Sequence, residues 1–110
     1  MSSGWSKNPS PIAPVYSVAK AAVNAMTVAV ASELGPRGIT VNTIAPGWTV
    51  TDGTTEPRKD SDLVKQVESE TALGRFGQPA DIAAVVSAFV SDDGTWLTGQ
   101  YVDASGGYRI

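Results

Sequence analysis

Apolar and polar residues along the chain follow two alternating patterns, one typical of helices and one of strands. Residues 1–15 are rich in Ser, Gly and Pro, with Pro14 the last of three prolines, and are predicted to be a loop without regular helix. In residues 16–34 apolar side chains recur at helical spacing, and Gly35 with the proline after it predicts the end of that helix. Residues 39–45 are mostly β-branched and apolar, which predicts a buried strand.

The second half of the chain repeats this alternation. Residues 48–58 contain several threonines, a glycine and a proline, which predicts an irregular loop. A short helix is predicted over about 60–70, and a further helix opens at Pro79 and ends before Gly94. Residues 100–104 are predicted to form a last strand. The order of helix, strand, helix, helix and strand indicates an α/β fold.

The composition restricts the possible chemistry more than it restricts the possible fold. The chain has 110 residues, 42% of them hydrophobic, and a formal net charge of −3, which disfavours nucleic acid as a partner. It contains no cysteine and no histidine, so disulfides, Ser–His catalysis and the usual zinc ligands are excluded, and no metal site is predicted. Acid–base chemistry in this chain therefore needs tyrosine, lysine or a carboxylate.

We find no apolar run long enough to span a bilayer and no signal-peptide pattern, so no membrane partner is predicted. Together with the lack of cysteines, this favours the cytoplasm.

The segment 21–32, AAVNAMTVAVAS, contains no charged residue. A surface helix normally turns a polar face to water, so this helix is predicted to be covered on two sides. It is either central to one core or packed against another subunit or a missing half of the fold. In a chain with only two predicted strands we favour the second interpretation, and we expect an oligomer.

Three residues suggest acid–base chemistry. Tyr16 and Lys20 are four residues apart on the predicted helix, which puts both side chains on one face with Cβ atoms about 6 Å apart. A free tyrosine has a pKa near 10, and a neighbouring ammonium group lowers such a value by favouring the phenolate. Ser3 lies upstream and is able to hydrogen-bond the same reacting oxygen. Taken alone, a Tyr-x-x-x-Lys pair is more often a coincidence of helical sequence than a site.

Three longer stretches give this pair its context. The runs YSVAKAAVNAMTVAVASEL, GITVNTIAPG and GRFGQPADIAAVVSAFVSDDGTWLTGQYVDASGG occur in this order and cover most of the chain. Together they resemble the C-terminal portion of the short-chain dehydrogenase/reductase family. The resemblance implies the C-terminal part of a Rossmann-like, doubly wound parallel sheet, incomplete in a single chain. It also implies a nicotinamide cofactor, NAD or NADP, and a small-molecule carbonyl or alcohol substrate.

The resemblance also implies residue roles. Ser3 corresponds to the catalytic serine, Tyr16 to the general acid–base, and Lys20 to the lysine that assists the tyrosine and binds the nicotinamide ribose. The positions implied at the nicotinamide end of the cofactor are Tyr16, Lys20, Pro46, Gly47, Thr49 and Thr51. As one partial domain, the chain divides into a catalytic-serine loop (1–15), a catalytic helix (16–35), a strand with a Pro-Gly turn (39–47), a substrate lid (48–70) and a C-terminal helix and strand (71–110).

The family's Gly-rich dinucleotide-binding turn is absent from these 110 residues. Three interpretations therefore remain open. The chain is part of an NAD(P)-dependent oxidoreductase, supplemented by a complementing N-terminal half; or it is a non-catalytic interaction module that keeps the family's oligomer surfaces; or it is a truncated remnant. In each case we do not expect the isolated chain to be active.

Overall fold

The computed structural model describes all 110 residues. Two strands, β1 (Thr43–Pro46) and β2 (Tyr101–Ala104), form a parallel pair in which Thr43 lies opposite Tyr101 and Pro46 opposite Ala104. Three α-helices accompany them: α1 (Pro14–Leu34), α2 (Ser61–Ser69) and α3 (Pro79–Val90). Because parallel strands need a long crossover, α2 and α3 lie in the connection between β1 and β2. The predicted α/β class and element order are confirmed.

Helix α1 begins two residues earlier than the pattern predicts. Pro14 occupies its first turn instead of lying in the preceding loop. At that position the missing N–H costs nothing and the fixed φ of proline already suits a helix. At the other end α1 passes into a 3-10 turn, Gly35–Arg37, and Gly38 then reverses the chain with a φ of 71°. This left-handed conformation is the one that favours glycine.

Both ends of strand β1 differ from the prediction. Residues 39–42 do not join the strand, because their hydrogen bonds go to the loop before β2: Val41 accepts from the amide of Gly99 at 2.7 Å, and the Asn42 side chain donates to the carbonyl of Leu97 at 2.7 Å. Pro46, predicted to follow the strand, is its last residue, a position where proline is tolerated. On the other edge of β1, Ser2 donates its amide to the carbonyl of Ile44 at 2.8 Å.

Segment 48–58 has more local order than an irregular loop. It contains the 3-10 turns Asp52–Thr54 and Pro57–Lys59, and the Thr54 hydroxyl donates to the carbonyl of Thr49 at 2.7 Å. Asp60 then caps α2, its carboxylate accepting from the amide of Asp62 at 2.9 Å. Helix α2 buries Val67, which is 1% exposed.

The core is small for a chain of this length. Only 12 of the 110 residues are buried, and the Cα radius of gyration is 15.1 Å, above the roughly 13 Å expected for a compact domain of about this size. Apolar side chains of α1 stay in solvent, with Val15 82%, Val18 69%, Met26 59% and Val28 58% exposed. The surface predicted to cover the second side of α1 is therefore not supplied by these 110 residues.

One expectation from the sequence is wrong. The segment Pro14–Arg37 is long and apolar enough to cross a bilayer by length and composition, with a hydropathy of 1.3. Much of this segment is alanine and valine, and its only charged residues are Lys20, Glu33 and Arg37. Core helices of soluble proteins pass the same test, so the finding is weak evidence for a membrane.

Candidate active site

The site is built where β1 ends. Ligands of open parallel sheets bind beyond the carboxyl ends of the strands, and Gly47 is the first residue beyond β1. Its amide donates to the carbonyl of Ala104 at 3.3 Å, and a Cβ at this position would lie 2.6 Å from the Cβ of Ser105. Only glycine allows the two chain segments to approach this closely, so Gly47 fixes the start of one wall of the site.

Ser3 is held beside this turn by hydrogen bonds on both its side chain and its backbone. Its hydroxyl accepts from the amide of Trp5 at 3.3 Å and caps the 3-10 turn Gly4–Ser6. Its carbonyl accepts from the Ser6 hydroxyl at 2.6 Å, and Asn24 of α1 donates to that hydroxyl at 2.8 Å. The serine loop is thereby tied to the same helix that carries Tyr16.

Tyr16 lies in the first turn of α1, with 45% of its surface exposed. One helical turn on, the Lys20 ammonium lies 5.5 Å from the centre of the Tyr16 ring. It donates to the carbonyl of Met1 at 3.2 Å, while the Ser2 hydroxyl donates to the carbonyl of Lys20 at 3.1 Å. The predicted pair is therefore in one place, and Lys20 also joins α1 to the segment that precedes Ser3.

A cavity of about 480 Å³ joins these elements. Four of the predicted site residues line it: Ser3, Tyr16, Pro46 and Gly47. The other lining residues come from the serine loop, the lid region and the end of β2, namely Gly4, Trp5, Asn8, Ala13, Trp48, Gly53, Thr54, Pro57, Asp103, Ser105, Tyr108 and Arg109. Sequence reasoning missed Trp5, Trp48, Tyr108 and Arg109.

Three predicted residues do not line the cavity. Lys20 lies one helical turn after Tyr16 and donates to the carbonyl of Met1, as described above. Thr49 is 8% exposed and its hydroxyl donates to the carbonyl of Gly47 at 3.1 Å, so it supports the Pro-Gly turn from beneath. Thr51 is exposed, and its amide donates to the hydroxyl of Thr54 at 3.1 Å in the first turn of the lid region.

Aromatic rings connect the serine loop with the Pro-Gly turn. Trp5 meets the Tyr16 ring edge to face at a centroid distance of 5.9 Å and the Trp48 ring at 6.3 Å. Trp48 in turn packs on the buried Phe76 at 6.0 Å. These contacts extend from the Tyr16 ring through Trp5 and Trp48 to the interior, and each contact restrains the orientation of the neighbouring ring.

One charged residue of the cavity wall, Arg109, is paired with a carboxylate. Arg109 donates to a carboxylate oxygen of Glu70 at 2.6 Å, and this hydrogen bond, helped by one from Gln66, lowers the pKa of Glu70 to about 2. The guanidinium of Arg109 also lies 5.1 Å from the centre of the Tyr108 ring. Behind the serine loop, burial raises the pKa of Tyr101, whose hydroxyl lies 3.5 Å from the Ser3 carbonyl.

Comparisons with known proteins give the family of this chain. The family described as enoyl-(acyl carrier protein) reductase matches residues 1–109. An uncharacterized oxidoreductase of Methylorubrum extorquens is 47% identical over 100 residues, covering 90% of this chain and 40% of the relative. The 3-oxoacyl-[acyl-carrier-protein] reductase FabG of Staphylococcus aureus is 42% identical over 92 residues, covering 84% of this chain and 37% of the relative.

A solved structure is similar over nearly the whole chain. The 3-oxoacyl-[acyl-carrier protein] reductase of Brucella melitensis with bound NAD has 35% sequence identity and a TM-score of 0.84, covering 99% of this chain and 39% of that one. The chain therefore belongs to the short-chain dehydrogenase/reductase family. It spans about 40% of the length of the curated relatives it matches, and corresponds to their C-terminal part.

Proposed function

We propose that this chain is the catalytic C-terminal part of an NAD(P)-dependent oxidoreductase that moves a hydride between a nicotinamide and a carbonyl or alcohol carbon. The observation that carries the proposal is the single cavity whose wall contains Ser3, Tyr16 and the Pro46–Gly47 turn. Family membership supports the reaction type. One relative named above is a 3-oxoacyl-[acyl-carrier-protein] reductase, and another is an oxidoreductase without a stated substrate.

Tyr16 is the proposed general acid–base. In the reducing direction its hydroxyl donates a proton to the carbonyl oxygen, and in the oxidising direction it takes the proton of the alcohol. Lys20, whose ammonium lies 5.5 Å from the centre of the Tyr16 ring, is proposed to assist Tyr16. Ser3 lies on the same cavity wall and is proposed to hold the reacting oxygen by a hydrogen bond.

The residues fit the nicotinamide end of a dinucleotide. Lys20 uses one of its three ammonium hydrogens on the Met1 carbonyl, so two donors stay available for ribose hydroxyls. Pro46 and Gly47 present backbone at the carboxyl end of β1, where ligands of parallel sheets bind. When bound, the nicotinamide supplies or accepts the hydride. We propose that Thr51 reaches the same end and that Thr49 acts through the turn it supports.

The remaining part of the cofactor needs residues outside this chain. A Gly-rich turn cradles the pyrophosphate in dinucleotide folds, and these 110 residues contain none. We therefore propose that full activity requires a complementing N-terminal half, and that the present chain alone is inactive. Whether the cofactor is NAD or NADP depends on that half.

The lid and the partners complete the proposal. Residues 48–70 act as the substrate lid, because Gly53, Thr54 and Pro57 of this segment line the cavity. The exposed, uncharged face of α1 packs against a second copy of the chain or against the complementing half, in the cytoplasm. This exposed face also favours the second candidate, a non-catalytic interaction module, because association needs no cofactor.

A cofactor titration separates the two candidates. NADH and NADPH are added to the purified chain, and cofactor fluorescence is followed while the mass in solution is measured. We expect weak saturable binding that is lost in Tyr16→Phe and Lys20→Ala and kept in Lys65→Ala, whose lysine is 78% exposed on α2. A folded, associated chain that binds neither cofactor would favour the interaction module. Equal binding by all variants would refute the proposed site.

A further inference from the structure

Four aromatic residues line the cavity. Trp5, Tyr16, Trp48 and Tyr108 all line it, and they come from four separate parts of the chain. Trp5 stands edge to face against both Tyr16 and Trp48, with interplanar angles of 89° and 85°. The ring that moves the proton is therefore part of the same row of rings that forms the cavity wall.

The cavity carries no net positive charge. Among its lining residues only Asp103 and Arg109 are charged. Arg109 is bound to Glu70 at 2.6 Å and packs on Tyr108, so its charge is already compensated by a carboxylate. Asp103 adds a further negative charge to the wall. Lys20 does not line the cavity and is proposed to bind the nicotinamide ribose, so no lining cation is left to pair with a substrate carboxylate or phosphate.

The size and the stiffness of the cavity restrict the class of substrate further. The cavity of about 480 Å³ is within the roughly 300–1,000 Å³ range of small-molecule sites, and it has to hold the nicotinamide ring as well as the substrate. Pro46, Pro57 and the tightly packed Gly47 make parts of the wall stiff. Aromatic rings prefer offset-stacked or edge-to-face partners, and a flat ring held in this way loses little conformational entropy.

We propose that the substrate is an uncharged ketone attached to an aromatic or fused ring, or the corresponding alcohol. This inference rests on the proposed oxidoreductase function. In the reducing direction a bound nicotinamide would supply the hydride to the carbonyl carbon, while Tyr16 gives its proton to the oxygen and regains one from solvent, so that the ring-bearing alcohol is the product. Trp5 and Trp48 bind the ring and place the carbonyl against Tyr16.

Binding calorimetry on the 110-residue chain tests the inference. The two probes are 1-tetralone, a fused-ring ketone, and 2-decanone, an open-chain ketone with the same number of carbons. We expect 1-tetralone to bind at least tenfold more tightly than 2-decanone. Trp5→Leu and Trp48→Leu lower that affinity about tenfold, and Trp5→Phe restores most of it because a ring is kept. The control is Trp96→Leu, since Trp96 is 96% exposed and lies outside the cavity.

The possible results distinguish a failure of the proposed substrate class from a failure of the proposed oxidoreductase function. Equal affinity for both ketones, no measurable binding of either, or an equal loss in Trp96→Leu overturns the substrate class. Circular dichroism of each variant separates loss of binding from loss of fold, and a Trp5→Phe variant that folds but fails to bind also overturns it. Binding of nicotinamide cofactors without a preference for 1-tetralone leaves the oxidoreductase proposal standing. Binding of 1-tetralone by a chain that binds no cofactor supports the ring site and favours the interaction module over the oxidoreductase.

Discussion

Helices α1 and α2 bury their apolar residues in different ways. α2 has nine residues, places Val67 in the core at 1% exposure, and turns Asp62 and Lys65 to water. α1 has 21 residues, of which only Ser17, Thr27 and Ala31 are buried. Its large apolar side chains, including Met26 at 59% exposure, face solvent.

The difference shows which parts of the fold are complete. α2 has the one-sided pattern of a surface helix: the chain covers its apolar face, and its polar face lies in water. α1 is anchored on one side by hydroxyls, with Thr27 bonded to Thr43 of β1, and its other side has the composition of a second buried face. Since Tyr16 and Lys20 start α1, the proposed active site lies on the helix that needs another surface.

The largest effect is expected from placing a charge in each helix. Val67→Asp buries an unpaired carboxylate in α2 and should lower the free energy of unfolding by about 4 kcal/mol. The matched change Val28→Asp on the exposed face of α1 should stay within about 0.5 kcal/mol at concentrations where the chain is monomeric. Urea unfolding checks both. Comparable losses in the two variants would show that α1 is already packed within the chain.

A second change sharpens the assignment of the α1 face as an interface. Met26→Asp should weaken self-association at least tenfold, about 1.4 kcal/mol, because the carboxylate would be buried without a partner. Ser69→Asp adds the same charge at the end of α2 and should leave association unchanged. Sedimentation equilibrium measures both. An unchanged association constant for Met26→Asp would place the interface elsewhere.

The inner side of α1 offers a third test. Thr27→Val removes the partner of the Thr43 hydroxyl, which is buried at 1% exposure, and should cost about 1–2 kcal/mol. The double variant Thr27→Val/Thr43→Val removes both polar groups and should recover much of that loss. Chemical unfolding of the single and double variants gives the coupling. If the double variant loses as much as the sum of the single ones, the hydroxyl pair is not coupled.

The smallest expected effect is on how the thermal stability depends on pH through the residue that ends α2. The hydrogen bond from Arg109 lowers the pKa of Glu70 from its ordinary value of 4.5 to about 2. A lowered carboxyl pKa gives stability that is present above pH 4.5 and is lost as the pH falls toward 2. Arg109→Gln should therefore flatten the fall of Tm between pH 5 and pH 2, and 1 M salt should reduce the difference. Parallel Tm curves in low salt would contradict this assignment.

Much of the fold followed from local patterns. The element order and the α/β class follow from helical and strand periodicity, and the family from three long runs of residues. The bounds of β1 did not, because residues 39–42 bond to the loop before β2, a partner far away in sequence. The start of α1 at Pro14 follows the rule for proline at a first helical turn, but the same proline, after two others in residues 9–11, also indicates a loop.

The candidate site was predictable only in part. Tyr16 and Lys20 share a helix, so their spacing alone places them together. Trp5 and Trp48 lie in loops, where no period indicates which way a ring points, and only the fold brings them to Tyr16. The one signal in the sequence was position: Trp5 follows Ser3 by two residues, and Trp48 follows the Pro-Gly turn directly.

The central claim is that Ser3, Tyr16 and the Pro46–Gly47 turn form the nicotinamide end of an oxidoreductase site. Its most direct test is NMR of the isotope-labelled chain during titration with nicotinamide mononucleotide, the half of the cofactor for which this chain has residues. The account predicts saturable shifts at the amides of Ser3, Tyr16 and Gly47, with α2 and the indole of Trp96 unchanged. Shifts confined to the outer face of α1, or no shift at millimolar nucleotide, would contradict it.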